Sequence, residues 1–180
     1  MKIFIILLII INSYAYNIKK NMLNLYENRK FKEVCNIGFN NFNSNVNDEE
    51  YISLYAFACL NVDYIDRLPI AITALRASKE SRSNASYFSI IYMQKKLLYH
   101  ALLDNYNLKS LNLPTTDHVL SKVFDLYVKL DNNKQQYYLL KDDKDNRVSY
   151  KLYTIKDKYL DKIVIEELYD STTIAQHIYW

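Results

Sequence analysis

Apolar side chains recur every three or four positions from Asn17 to about Asp131, and at every second position in parts of the remainder. The first spacing marks one face of a helix and the second one face of a sheet. Ile18, Met22 and Leu25 predict a helix over Asn17–Tyr26, and Phe31, Val34, Cys35, Phe39 and Phe42 predict a second. The polar run Asn43–Asp48 leads to a third helix starting at Glu49, with Asp48 as its expected N-cap. Ile52, Tyr55, Ala58, Cys59 and Val62 form its stripe. Pro69 suits a first helical turn and opens a fourth segment carrying Ile70, Ala71, Ala74, Leu75 and Ser78. The polar residues Ser78 to Ser83 are expected to separate it from a long helix over Asn84–Asn105. Apolar residues cover so much of that helix that it is expected to be the central one. Past Leu113-Pro114, Thr115 or Thr116 is the expected cap of a last helix running to about Leu130.

The period then changes. Tyr137–Leu140 reads as a strand, Asp142–Asn146 as a turn, and Val148–Leu152 as a strand of clean alternation. Lys156–Lys158 offers a further turn, Ile163–Ile165 a third strand and Thr172–Trp180 a fourth. The expected fold is therefore α+β: helical hairpins, as a bundle or short solenoid, followed by a small antiparallel β-meander. The expected division is residues 1–15, 16–132 and 133–180.

The first of these segments belongs to a different category. Lys2, the unbroken apolar run Ile3–Ile11 and then Asn12-Ser13-Tyr14-Ala15 have the three parts of a cleavable secretory signal. Ser13 and Ala15 supply the small residues before the cut, which falls between Ala15 and Tyr16. A membrane anchor would need about twenty apolar residues, more than this run contains. Nothing later is long and apolar enough to span a bilayer, so no stable membrane insertion is expected after signal removal. The compartment expected is a bacterial periplasm, with secretion as the alternative.

Composition narrows the function classes. The 23 basic and 20 acidic residues give a net charge of +3, and loss of Lys2 lowers it to +2. Nucleic-acid binders need a clustered basic face, so no nucleic-acid partner is expected. The single glycine, Gly38, leaves no Gly-rich phosphate loop and no nucleophile elbow. Turns must rely on Asn and Asp, which tolerate left-handed backbone. The eighteen tyrosines suit thin cores and half-wet grooves.

Cys35 and Cys59 are the two thiols of the chain. Export to an oxidising compartment favours a disulfide between them, and the alternative is a pair of buried free thiols. A bridge closing a loop of this size is worth about 3 kcal/mol in the chain-entropy account.

Residues roughly 18–43 and 55–78 resemble tetratricopeptide-type helical hairpins. Phe31 with Val34 and Leu68 with Ala71 match the places that open the second helix of each unit, 37 residues apart between Val34 and Ala71. Tyr55, Ala58, Cys59 and Val62 match first-helix places in the second unit, while Asn21 and Met22 depart from them in the first. The family's Trp, turn Gly and closing Pro are absent. The resemblance covers about a third of the chain and implies stacked hairpins with a concave face that binds peptides or protein partners. It also implies that Cys35 and Cys59 lie on neighbouring helices of successive units, where a bridge would staple them.

No catalytic set stands out. His100, His118 and His177 fall in separate elements with no metal-binding spacing. His118 reads as a first-turn polar residue beside Asp117, and His177 stands close to Tyr179 and Trp180. The acidic pairs Glu49-Glu50, Asp142-Asp143 and Glu166-Glu167 read as a helix start, a turn and a strand end. Asn84-Ala85-Ser86 matches a glycosylation acceptor by chance composition. No cofactor and no metal site is expected. The expected role is a non-catalytic interaction or assembly protein. The alternatives are a small hydrolase whose site forms only in three dimensions, and a carrier of an apolar ligand.

Overall fold

The computed structural model describes residues 17–109, 111–130 and 135–180. The expected signal and its cut between Ala15 and Tyr16 lie outside the described residues. Helix α1 covers 17–27 and α2 Phe31–Asn40, followed by a 3-10 turn at Asn43–Asn45. Then come α3 (Glu49–Leu60), a second 3-10 turn (Ile65–Arg67), α4 (Leu68–Ala74), α5 (Lys79–Asp104) and α6 (Val119–Val128). Strands β1 (Tyr137–Lys141), β2 (Val148–Ile155), β3 (Lys162–Tyr169) and β4 (Thr172–Tyr179) form one antiparallel sheet in the order β1-β2-β3-β4. This is the α+β order of helices followed by a meander. The chain forms two compact units that meet between Ser86 and Tyr87, within α5.

In the first unit α3 is the helix buried on nearly every side: Tyr51, Ile52, Tyr55, Ala56, Ala58 and Cys59 have no exposed surface. Its N-cap is Asp48, whose Oδ1 accepts the N–H of Tyr51 at 3.0 Å. Helix α2 runs antiparallel to it, and Gly38 shows how close they come. A Cβ at Gly38 would stand 2.6 Å from Tyr55 Cδ2 and 2.7 Å from Tyr55 Cβ. One helical turn away, Cys35 and Cys59 are joined in a disulfide with their Cα atoms 4.8 Å apart. The buried tyrosines dispose of their hydroxyls on backbone oxygens, Tyr51 on Gly38 (3.2 Å) and Tyr55 on Arg67 (2.8 Å).

Two sequence expectations change in this unit. Helix α4 stops at Ala74, because Leu75 is extended and the next three N–H groups are taken by Glu49. The polar run Ser78–Ser83, expected as a separator, instead opens α5: Ser78 Oγ accepts the N–H of Ser81 at 3.0 Å and caps the helix.

In the second unit the buried residues of α5 form a single stripe, Phe88, Ile91, Gln94, Lys95, Leu98 and Ala101, rather than the all-round burial its composition suggested. The cap of α6 is His118, not Thr115 or Thr116: its Nδ1 accepts the N–H of Leu120 at 3.2 Å, while Thr116 Oγ1 accepts the N–H of His118 itself. Helix α6 packs on β1, with Tyr127 edge-on to Tyr138 at 5.0 Å between ring centroids. Along β1 and β2, Tyr138, Leu140, Tyr150 and Leu152 alternate inward, in register with Ile165 of β3. Asp170 and Ser171, both with positive φ, make the two-residue turn between β3 and β4. Glu166 and Glu167 fall inside β3 rather than at a strand end. Among the described residues no helix is long and apolar enough to cross a membrane.

Candidate functional site

The helices of the first unit leave a second apolar face that the core does not use. On α1, Lys19, Leu23 and Tyr26 follow one another at steps of four and three, which keeps them on one side of the helix. Glu50, Leu54 and Phe57 do the same on α3. The six side chains line an open groove of about 350 Å³. Polar bonds tie its two walls at both ends. Lys19 Nζ meets Glu50 Oε2 at 3.0 Å and Asp48 at 2.9 Å, and toward the other end of α1 Tyr26 meets the side chain of Asn61. The two helices therefore run in the same direction. The first turns of α5 also reach α3, where Asn84 Nδ2 donates to Ser53 Oγ at 3.1 Å.

Beyond the Lys19–Glu50 rung the lining turns polar. A second hollow of about 810 Å³ is bounded by Lys19, Asp48, Glu49, Glu50, Ser53 and Glu80, among others. Lys19 lies 2.9 Å from Asp48 and 3.0 Å from Glu50, and its hydrogen bond to Asp48 raises its pKa. Glu49 accepts the N–H groups of Arg76 (2.8 Å), Ala77 (2.6 Å) and Ser78 (3.0 Å). Those bonds, led by Ala77 and Arg76, hold its carboxyl at about 2 instead of the ordinary 4.5. At the apolar end Tyr26 packs edge-on to Phe31 at 4.9 Å, and burial raises its hydroxyl pKa. The surface can thus hold an apolar side chain at one end and carries an excess of negative charge at the other.

The second unit brings an acid and an imidazole together. His177 Nε2 stands 3.0 Å from Glu167 Oε1. That bond, helped by the charges of His177, Lys122 and His118, lowers the pKa of Glu167 against its burial. Tyr150 donates to Asp142 Oδ2 at 3.1 Å, and Asp142 also accepts the N–H groups of Lys144 and Asp145.

Of the residues singled out in the sequence, Cys35 and Cys59 are joined. His177 is stacked with Tyr179, whereas Trp180 instead meets Lys162 at 5.7 Å. His100 is elsewhere, stacked on Tyr106 at 4.3 Å. Asn84 lies within α5 and is bonded to Ser53. Among the described residues no group of His, Cys, Asp and Glu is arranged to hold a metal. Sequence reasoning missed Leu23, Tyr26, Leu54 and Phe57. Their signal was available: each is apolar, lies on a helix and falls outside the core stripe. No protein-family model, no curated protein and no solved structure matches this chain.

Proposed function

We propose that the protein is an exported, non-catalytic protein-binding or assembly component of a bacterial periplasm, with a protein partner held along α1 and α3. The observation that carries the reading is the open apolar groove between α1 and α3, two helices that run in the same direction. Parallel helices at alternate positions, each followed by an antiparallel partner, are how stacked helical hairpins expose a binding face. The tetratricopeptide-like reading rests on that arrangement. Export rests on the leader at residues 1–15, and the Cys35–Cys59 bridge is consistent with an oxidising compartment. The intact mass of the mature protein is expected to correspond to a chain beginning at Tyr16. Mild cross-linking in intact cells is expected to trap a protein through α1 or α3. A form still beginning at Met1 in the cytosol would overturn the compartment, and the absence of any trapped protein would overturn the binding role.

A second reading has one observation in its favour, the half-buried Glu167–His177 pair. A carboxylate that orients an imidazole is one part of general-base chemistry. If the protein is a small hydrolase, it turns over an ester or amide panel, and His177→Gln abolishes that turnover while leaving any partner binding intact.

A further inference from the structure

We propose that the groove takes an extended peptide in which a large apolar side chain is separated by one or two residues from lysine or arginine. This rests on the protein-binding reading and specifies its ligand.

The apolar end sets the first half of the preference. Leu23, Tyr26, Leu54 and Phe57 line the apolar part of the open groove of about 350 Å³, within the size range of sites for one compact ligand group. Leu23 is half exposed, so apolar surface there awaits cover. The polar end sets the second half. Asp48, Glu49, Glu50 and Glu80 are four carboxylates, and the basic side chain among the lining residues is Lys19. Lys19 is already engaged by both Asp48 and Glu50. The Glu50 side chain remains 86% exposed, and an arriving cation can share it. Four carboxylates facing one ammonium leave an excess of negative charge. That excess attracts a basic peptide and repels nucleic acid or an anionic lipid surface.

The helix rise fixes the spacing. From the Leu23 and Tyr26 levels to Lys19 is four to seven residues of α1, or about 6–10 Å. An extended peptide covers that distance in about two to three residues. The apolar and basic positions of the ligand are therefore two or three apart.

The test uses the full mature chain and three fluorescein-labelled peptides read by anisotropy up to millimolar protein: Gly-Phe-Ser-Lys-Arg-Gly, Gly-Phe-Ser-Glu-Asp-Gly and Gly-Ser-Ser-Lys-Arg-Gly. The first is expected to bind at least tenfold more tightly than either other, and to weaken as salt rises. Glu50→Lys with Glu80→Lys is expected to reverse the preference between the first two peptides. Leu23→Asp is expected to remove binding of the first, with far-UV circular dichroism unchanged in every variant. Equal binding of the basic and acidic peptides, or indifference to the double variant, would overturn the proposed charge preference; loss on Leu23→Asp would then still support the groove as a binding face. If no peptide binds while a cellular partner is trapped away from α1 and α3, the peptide proposal fails and the binding role stands. If no peptide binds and nothing is trapped, both fail.

Discussion

Several tyrosines end differently in the two units. In residues 17–86 their hydroxyls rest on backbone carbonyls, Tyr51 on Ile37 and Gly38, Tyr55 on Arg67. In residues 87–180 three rest on carboxylates, the buried Tyr150 on Asp142 and the partly buried Tyr87 on Asp117 and Tyr153 on Glu166, while Tyr99 donates to the Asp161 carbonyl and the buried Tyr127 pairs with Tyr138. A carbonyl cannot be protonated in the working range of a protein, whereas a carboxylate can. The helical unit thus fixes its packing with a covalent bond and groups that do not titrate. The sheet unit adds side-chain bonds to carboxylates, of which Asp142 and Glu167 are held below their ordinary range by the hydrogen bonds they accept. The principal exception in the helical unit is Glu49, and it holds a loop rather than the core.

The largest effect that would break this contrast comes from the covalent bond. Replacing Cys35 and Cys59 by Ser together is expected to cost about 3 kcal/mol, since the bridge spans 24 residues of chain. Urea denaturation followed by helical ellipticity measures it. Hydrogen exchange should quicken across α2 and α3 and stay nearly unchanged in β1–β4. Equal quickening in both units would dissolve the distinction.

Gly38→Ala comes next. Its Cβ would meet Tyr55 ring and Cβ atoms closer than 3 Å, and Tyr55 is held by its bond to Arg67. Overpacking of this kind costs about 1–3 kcal/mol, read as a lower urea midpoint with an unchanged slope. No change would mean that α2 and α3 can part freely.

Acid sharpens the comparison further. The Glu49 carboxyl is depressed to about 2, so its contribution is full above its ordinary value of 4.5 and lost as pH falls toward 2. Glu49→Gln is expected to lower the melting temperature at neutral pH, and the gap from wild type should close between those values. A gap independent of pH would remove the charge from the explanation. The smallest effect is expected at Glu167. Its carboxyl is lowered first by the bond to His177, so His177→Gln should raise its titration midpoint toward the ordinary carboxylate value. Carbonyl carbon NMR measures that shift, and an unmoved midpoint would mean that the imidazole does not hold the acid.

The change of hydrophobic period near residue 131 revealed helices followed by strands, because spacings of 3.6 and 2 survive whatever tertiary contacts form. Asp48 was legible as a cap for the same local reason. Ser78 and His118 were not. A polar serine run looks like a loop until its own hydroxyl and a distant carboxylate, Glu49, organise it, and histidine is an uncommon cap. The groove was hidden more deeply. Leu23 and Leu54 read as leftovers beside stronger core stripes, and only the side-by-side packing of α1 and α3 brings them to one groove. Glu167 and His177 meet because of strand register, and the irregularity near Glu167 and Leu168 cannot be placed from alternation alone.

The disulfide described above has an asymmetric result for the groove. One wall, α3, is bolted to α2 by sulfur, while the other, α1, joins α2 through a turn at Arg29, whose φ is 57°. Widening the cleft to admit a bulkier guest then means moving α1, which releases Lys19 from its two carboxylates and Tyr26 from Asn61 and shifts the fully buried Met22, with no covalent bond disturbed. The aperture is adjustable from one side only, like a vice with a fixed and a sliding jaw.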